Sequence, residues 1–335
     1  VLQRASYELF PERKLRIRHT LGNGFYAEYD DHKSLSSEDA VLLKLRMEDI
    51  VARDIPITRV KRLATEVAEE YRRYDFDDRL ELLDTRPRLY RTVNYLGDMP
   101  GYFYGALAPS SGYVSRFDLA PYYNGFYVAI PARTNPEQVT TAIHHDKMFD
   151  IFHEYQQWID VMGVPTVGDL NRRVMEGDSS ELIQIAEAFH ENKIAAIARA
   201  IAEANSERGV RMALISGPSS SGKTTFSKRL GVQLRVLGLD PVLIALDDYF
   251  VDRDKTPLDE SGKPDYEALE AIDLTTLNDH LRQLAEGRSV EIPRYDFISG
   301  RRQWHEKPLQ LSERSILIME GIHALNPNLT PGIAD

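Results

Sequence analysis

The short apolar run Met212-Ala213-Leu214-Ile215, followed by Gly217-Pro218-Ser219-Ser220-Ser221-Gly222-Lys223-Thr224, leaves this chain fewer folds than any other stretch of it. A continuous apolar run of this length reads as a parallel strand buried on both faces. The segment behind it fits the pattern G-x-x-x-x-G-K-[ST]. Phe226, Leu230, Leu234 and Leu237 then recur at helical spacing until Gly238. Strand, glycine-rich turn and helix in that order predict an α/β nucleotide-binding fold with a parallel sheet. The two glycines let the backbone turn tightly and aim its N–H groups inward. Lys223 can reach the outer phosphates, the Thr224 hydroxyl can bind Mg²⁺, and the helix adds the positive end of its dipole. ATP is expected on Gly217, Ser219, Ser220, Ser221, Gly222, Lys223, Thr224 and Thr225.

Two later apolar runs end in acidic residues: Pro241 to Leu246 before Asp247-Asp248, and Ser315 to Met319 before Glu320-Gly321. Ligands of open parallel sheets bind beyond the carboxyl ends of the strands, so these three carboxylates share the phosphate side. Acidic groups around a phosphate loop hold Mg²⁺ and act as base toward an acceptor hydroxyl. Capping and turn formation are the other use of acidic residues at strand ends.

The first part of the chain is of another kind. Lys14 to His19 and Phe25 to Tyr29 alternate as strands around Leu21-Gly22-Asn23-Gly24, which predicts a hairpin. Ser36 with Asp39 predicts a helix start, and Arg53-Asp54-Ile55-Pro56 its end. Leu63, Val67, Tyr71 and Tyr74 predict a second helix, and the aromatic and β-branched stretch 89–130 an antiparallel sheet. From about Asn135 to Gly209 the pattern is helical, with Leu182, Ile185, Phe189, Ile194, Ile197 and Ile201 on one face. His144, His145 and His153 include no i,i+4 pair and no H-E-x-x-H, so solvated or hydrogen-bonded histidines are expected there.

Composition closes several routes. A net charge of −11 argues against broad attraction to nucleic acid and leaves RNA only a local basic patch. With no cysteine the chain has no disulfide, thiolate zinc site or cysteine nucleophile, and it fits the cytoplasm. No apolar run of about 18 residues suggests a membrane span.

The segments HTLGNGFYAEYD, LLKLRMEDIVARDIPITR and GYFYGALAPSSG resemble, in order and spacing, the second additional domain of threonyl-tRNA synthetases. That α+β module removes mischarged serine in those enzymes. The family's C-x-x-x-H pair falls on Phe103 and Leu107, and its H-x-x-x-H pair would lie before Val1. Phenylalanine and leucine neither ligate a metal nor transfer protons, so the resemblance implies a module without editing chemistry, kept for RNA or partner binding or as a structural appendage.

GPSSSGKTTFSKRL, LDDYF, VEIPRYDFISGRR and ILIMEGIHAL resemble, in the same order, the front part of the uridine kinase and phosphoribulokinase family over residues 212–324. The resemblance implies Asp247 as catalytic base and metal partner, with Asp248 as the one-residue alternative, and Glu320 as metal partner. It places Tyr295, Phe297 and Arg302 at the acceptor pocket, with Asp265 the nearest candidate for a ribose contact. A base-reading histidine of uridine kinases falls on Gly300, so a hydroxyl acceptor of nucleoside type is implied but uridine itself does not follow. The family also has an arginine-bearing lid and further strands after the E-G-I segment. A stop at Asp335 is expected to leave these out, with an open sheet edge prone to homo-oligomer formation.

The expectation is therefore a synthetase-like α+β domain at 1–134, a helical bridge at 135–209 and a P-loop kinase-like domain at 210–335. The function implied is ATP- and Mg²⁺-dependent phosphorylation of a small-molecule hydroxyl. The alternative is a nucleotide-sensing RNA-binding regulator that transfers no phosphate.

Overall fold

A computed structural model of the chain describes residues 1–31, 33–139, 146–304 and 307–331. It divides into two compact units, Val1–Ile185 and Ala186–Asp335. Among the described residues no helix is long and apolar enough to cross a membrane.

In the first unit, α1 (Leu2–Leu9) precedes the hairpin of β1 (Leu15–Thr20) and β2 (Gly24–Tyr29), paired antiparallel as the alternation predicts. Next come α2 (Ser37–Ala52), β3 (Ile57–Leu63), α3 (Ala64–Arg73), α4 (Asp77–Asp84), β4 (Tyr90–Leu96) and β5 (Met99–Gly101). The unit continues with β6 (Asp118–Tyr122), β7 (Gly125–Ala129), α5 (Asp146–Met162) and α6 (Val167–Glu176). Two sheets result, in the orders β1-β2-β7-β6 and β3-β4-β5. The first buries Tyr29, Phe126 and Val128 with Leu43, Met47 and Ile50 of α2. The second packs Val93 and Tyr95 with Val67 and Tyr71 of α3 and Phe76 ahead of α4. Helix α2 starts where Ser36 Oγ accepts the Asp39 N–H at 3.0 Å.

The expected sheet over 89–130 forms only in part, because 102–117 holds no strand and only a single 3₁₀ turn at Ser111–Tyr113. Its serines serve the end of α2 instead of a ladder. Ser111 Oγ donates to Ile50 O at 2.7 Å and accepts the Ile55 N–H at 2.8 Å, while Ser110 bonds Asp54. His153 stacks on Phe149 and bonds Gln157. His144 and His145 lie outside the described residues.

Helix α7 (Ser179–Arg208) runs across the boundary between the units and ends at Gly209, whose φ of +70° suits glycine. The second unit adds β8 (Met212–Ile215), α8 (Lys223–Val236), β9 (Asp240–Ala245), α9 (Leu274–Ala285), β10 (Pro293–Asp296), β11 (Arg301–Trp304) and β12 (Ser315–Glu320). Its parallel sheet has the order β8-β12-β9, so the last strand lies between the first two. Alternation along β12 fixes two cores. Ile316 and Ile318 join Leu230 and Leu234 of α8 and Ile194 and Ala198 of α7, while Leu317 and Met319 join Ile244, Leu277 and Leu281. The apolar run 241–246 predicts a strand through Leu246, but β9 stops at Ala245 and Leu246–Tyr249 form a 3₁₀ turn.

Candidate active site

The site stands at the carboxyl edge of the parallel sheet. Register puts Glu320 beside Ile215 on one side and Ala245 on the other, so the ends of all three strands meet there. Gly321 lets this happen: a Cβ at that position would lie 2.7 Å from Leu246 Cβ. Leu246 opens the turn that carries Asp247 and Asp248.

The phosphate loop leads into α8 through Gly222, whose φ of +87° is left-handed, and Ser220 also has a positive φ of 59°. A Cβ at Gly217 would come within 2.8 Å of Ser221 Oγ, so the loop is as tight as its glycines permit. Lys223 Nζ donates to Pro218 O at 2.9 Å, which folds the side chain over its own loop. Thr224 Oγ1 donates to Glu320 Oε1 at 2.6 Å, joining the loop to the central strand. Ser227, fully buried, donates to Lys223 O at 2.8 Å and anchors the first turn of α8.

Asp247 is open to solvent by area, yet protein surrounds most of its carboxyl group. Desolvation first, then the negative charge of Glu320, raises its pKa from that of a free aspartate; Lys223 opposes the shift and Asp248 adds to it. Asp248 is placed differently, with Oδ1 accepting the Tyr295 N–H at 3.3 Å and tying the 3₁₀ turn to β10. Thr224 thus meets Glu320 directly, Asp247 feels the Glu320 charge, and all three offer oxygen donors of the kind Mg²⁺ prefers.

The other predicted residues lie on β10, on β11 and in the adjoining loops. Tyr295 is buried and Phe297 exposed, their rings 5.0 Å apart, with Phe250 between 5.6 and 6.2 Å from both. Tyr266 bonds Tyr295 through the two hydroxyls at 3.4 Å. Burial and that bond push Tyr295 up to about 12. Arg302 pairs with Asp273 at 2.9 Å, which binds β11 to the N-cap of α9. Burial works against the Asp273 carboxylate, but hydrogen bonds from Thr276 and Arg302 outweigh it and lower its pKa. The Asp265 carboxylate accepts the Glu267 N–H at 2.9 Å within a turn.

Arg253 belongs to no sequence motif, yet it stands among these aromatics. Its Nε donates to the Tyr266 hydroxyl at 3.1 Å and its Nη2 to Phe297 O at 2.5 Å. It also fills the space beside Gly300, where a Cβ would meet Arg253 Nε at 2.7 Å on a backbone of φ +69°. Only the tertiary fold brings residues 253, 266 and 300 together, so spacing along the chain gives no sign of it.

The same part of the chain is similar to known proteins. Residues 213–329 match the model of the phosphoribulokinase / uridine kinase family. A uridine kinase of Shewanella amazonensis is 36% identical over 118 residues, 34% of this chain and 55% of that protein. One from Macrococcus caseolyticus is 34% identical over 116 residues, covering 34% and 54%. The chain spans about half the length of the curated relatives it matches. Among solved structures, a possible uridine kinase from Bacillus stearothermophilus aligns at 26% identity and a TM-score of 0.35, over 42% of this chain and 75% of that one. Over residues 213–329 the chain is thus similar to the P-loop kinases of the phosphoribulokinase / uridine kinase family.

Proposed function

We propose that the second unit transfers the terminal phosphoryl group of ATP to a hydroxyl of a small, nucleoside-like acceptor. The observation that carries this is the meeting of the phosphate loop, the Thr224–Glu320 contact and an Asp247 with a raised pKa at one sheet edge. Backbone N–H groups of residues 219–225 and the N-terminus of α8 bind the phosphates. Lys223 exchanges the Pro218 carbonyl for a phosphate oxygen. Asp247 accepts the proton of the acceptor hydroxyl as its oxygen bonds to phosphorus, and a base with a raised pKa suits that task near neutrality. Mg²⁺, when bound with the nucleotide, supplies charge neutralisation, and Thr224, Asp247 and Glu320 would hold it. Tyr295 and Phe297, with Phe250 and Arg253, form the acceptor wall. Arg302, fixed by Asp273, and Asp265, fixed by Glu267, complete that side.

In this reading residues 1–134 are the synthetase-like module without editing chemistry, in a cytoplasmic protein. Its Phe103 and Leu107 are exposed apolar side chains, which suit contact with RNA or a partner better than hydrolysis. The kinase assignment is tested with Lys223→Ala. Turnover is expected to fall about 10²-fold or more, as when a transition-state donor is removed, with the melting curve unchanged. Undiminished turnover would refute the assignment.

A further inference from the structure

The sheet β3-β4-β5 of the first unit carries a basic surface. Residues 57–63 and 85–92 hold Arg59, Lys61, Arg62, Arg86, Arg88 and Arg91 and no acidic residue, in a chain of net charge −11. Arg62 pairs with Glu66 at 3.7 Å, and among the described residues none of the other five forms an ion pair. Strand β3 lies at the edge of its sheet and is exposed from Thr58 to Arg62.

The pleat sorts these side chains. Val93 and Tyr95 pack with α3, so Thr92 and Asn94 of the same strand point to the opposite, outer face. Register sets Lys61 beside Thr92, Arg59 beside Asn94 and Leu63 beside Tyr90 on that face. Lys61 Nζ accordingly lies 4.8 Å over the Tyr90 ring. At the far end Gly101 pairs with Asn94, and a Cβ there would meet Phe103 Cε2 at 2.8 Å, so the Phe103 ring covers the same face. Tyr90 is 48% exposed and Phe103 53%. At strand rise the four residues from Tyr90 to Asn94 put the two rings about 13 Å apart, too far to stack on one base together. Arg86 and Arg88, both exposed, extend the charge beyond Tyr90; burial first and their repulsion second lower the pKa of Arg91.

Cations without counter-charge attract a polyanion, and exposed rings among them take unpaired bases by stacking. The exposed side chains of the face are Arg59, Lys61, Tyr90, Thr92 and Phe103. No aliphatic chain among them offers a lipid surface anything to take up, and an acidic peptide has no use for the two rings. We infer that the outer face of β3-β4-β5 docks single-stranded RNA, with phosphates on Arg59, Lys61, Arg86 and Arg88 and one base on each of Tyr90 and Phe103. The inference rests on the RNA contact proposed for residues 1–134, to which it gives a face, and not on the kinase assignment.

The test uses the full chain and the fluorescence anisotropy of a labelled single-stranded RNA of mixed sequence, titrated at several salt concentrations. Saturable binding is expected, with a slope of log affinity on log salt of about −3, as for four phosphates neutralised on a single strand. Arg59→Gln together with Lys61→Gln should weaken binding about tenfold or more and bring the slope to about −1.5. Tyr90→Leu and Phe103→Leu should each weaken it about fivefold or more at an unchanged slope, because stacking is lost and charge is not. Lys223→Ala should leave binding unchanged, which separates this face from the phosphate loop. Saturable RNA binding that is equal in the parent and the doubly substituted chain would overturn the face while leaving the RNA contact, and no saturable binding would overturn both. Tighter capture of an RNA duplex, of polyglutamate or of anionic vesicles than of the single strand would overturn the choice of ligand.

Discussion

Asp247 is the residue on which chemistry and electrostatics meet. A carboxyl group with a raised pKa keeps its proton to higher pH, so the acidic limb of turnover should lie above that of a free aspartate. Desolvation is the larger cause and Glu320 the second, so Glu320→Gln should move the acidic limb of kcat/KM to lower pH while reducing the rate itself. The check is a pH–rate profile of parent and variant. A limb in the same place in both would show that the Glu320 charge does not act on the base. Asp248 is not interchangeable with its neighbour, because it already accepts a backbone N–H of β10. The sequence favours Asp247 and keeps Asp248 as the one-residue alternative, and the backbone contact of Asp248 to Tyr295 is a difference between them that spacing does not carry.

At the scale of elements, the sheet edge depends on the close approach of β12 to the turn after β9. Gly321→Ala puts a methyl group 2.7 Å from Leu246 Cβ and 3.0 Å from its Cγ. Overpacking of this kind costs roughly 1–3 kcal/mol, read as a lower midpoint in urea, together with weaker nucleotide binding as Glu320 shifts. An unchanged midpoint and affinity would mean that the edge yields easily. This part of the fold is legible beforehand, because three fully apolar runs, each followed by a glycine or an acid, can be little else than buried parallel strands. The order β8-β12-β9 is not legible, since apolar runs carry no record of their neighbours. Nor is the irregular stretch 102–117, where the β-type composition of Tyr102, Phe103 and Tyr104 competes with serine hydroxyls that bind the end of α2. Arg253 escapes sequence reading for a similar reason: its partners, Tyr266 and Phe297, come from separate loops.

As a whole molecule the chain joins two compact units of different construction, one of antiparallel sheets and one of parallel sheet. Units with separate cores are expected to unfold in separate steps. ATP with Mg²⁺ should therefore raise the transition of the second unit alone, by an amount that grows with the logarithm of nucleotide concentration. Calorimetry with and without nucleotide checks this, and a uniform rise of all transitions would show that the units melt as one. The most direct test of the account is transfer of labelled terminal phosphate from ATP to a panel of nucleosides by the full chain and by its Asp247→Asn variant. The account predicts a phosphorylated small molecule from the parent, about 10²-fold or more less from the variant, and nucleotide affinity retained in both. Nucleotide binding with no phosphorylated acceptor, or equal transfer by parent and variant, would contradict it.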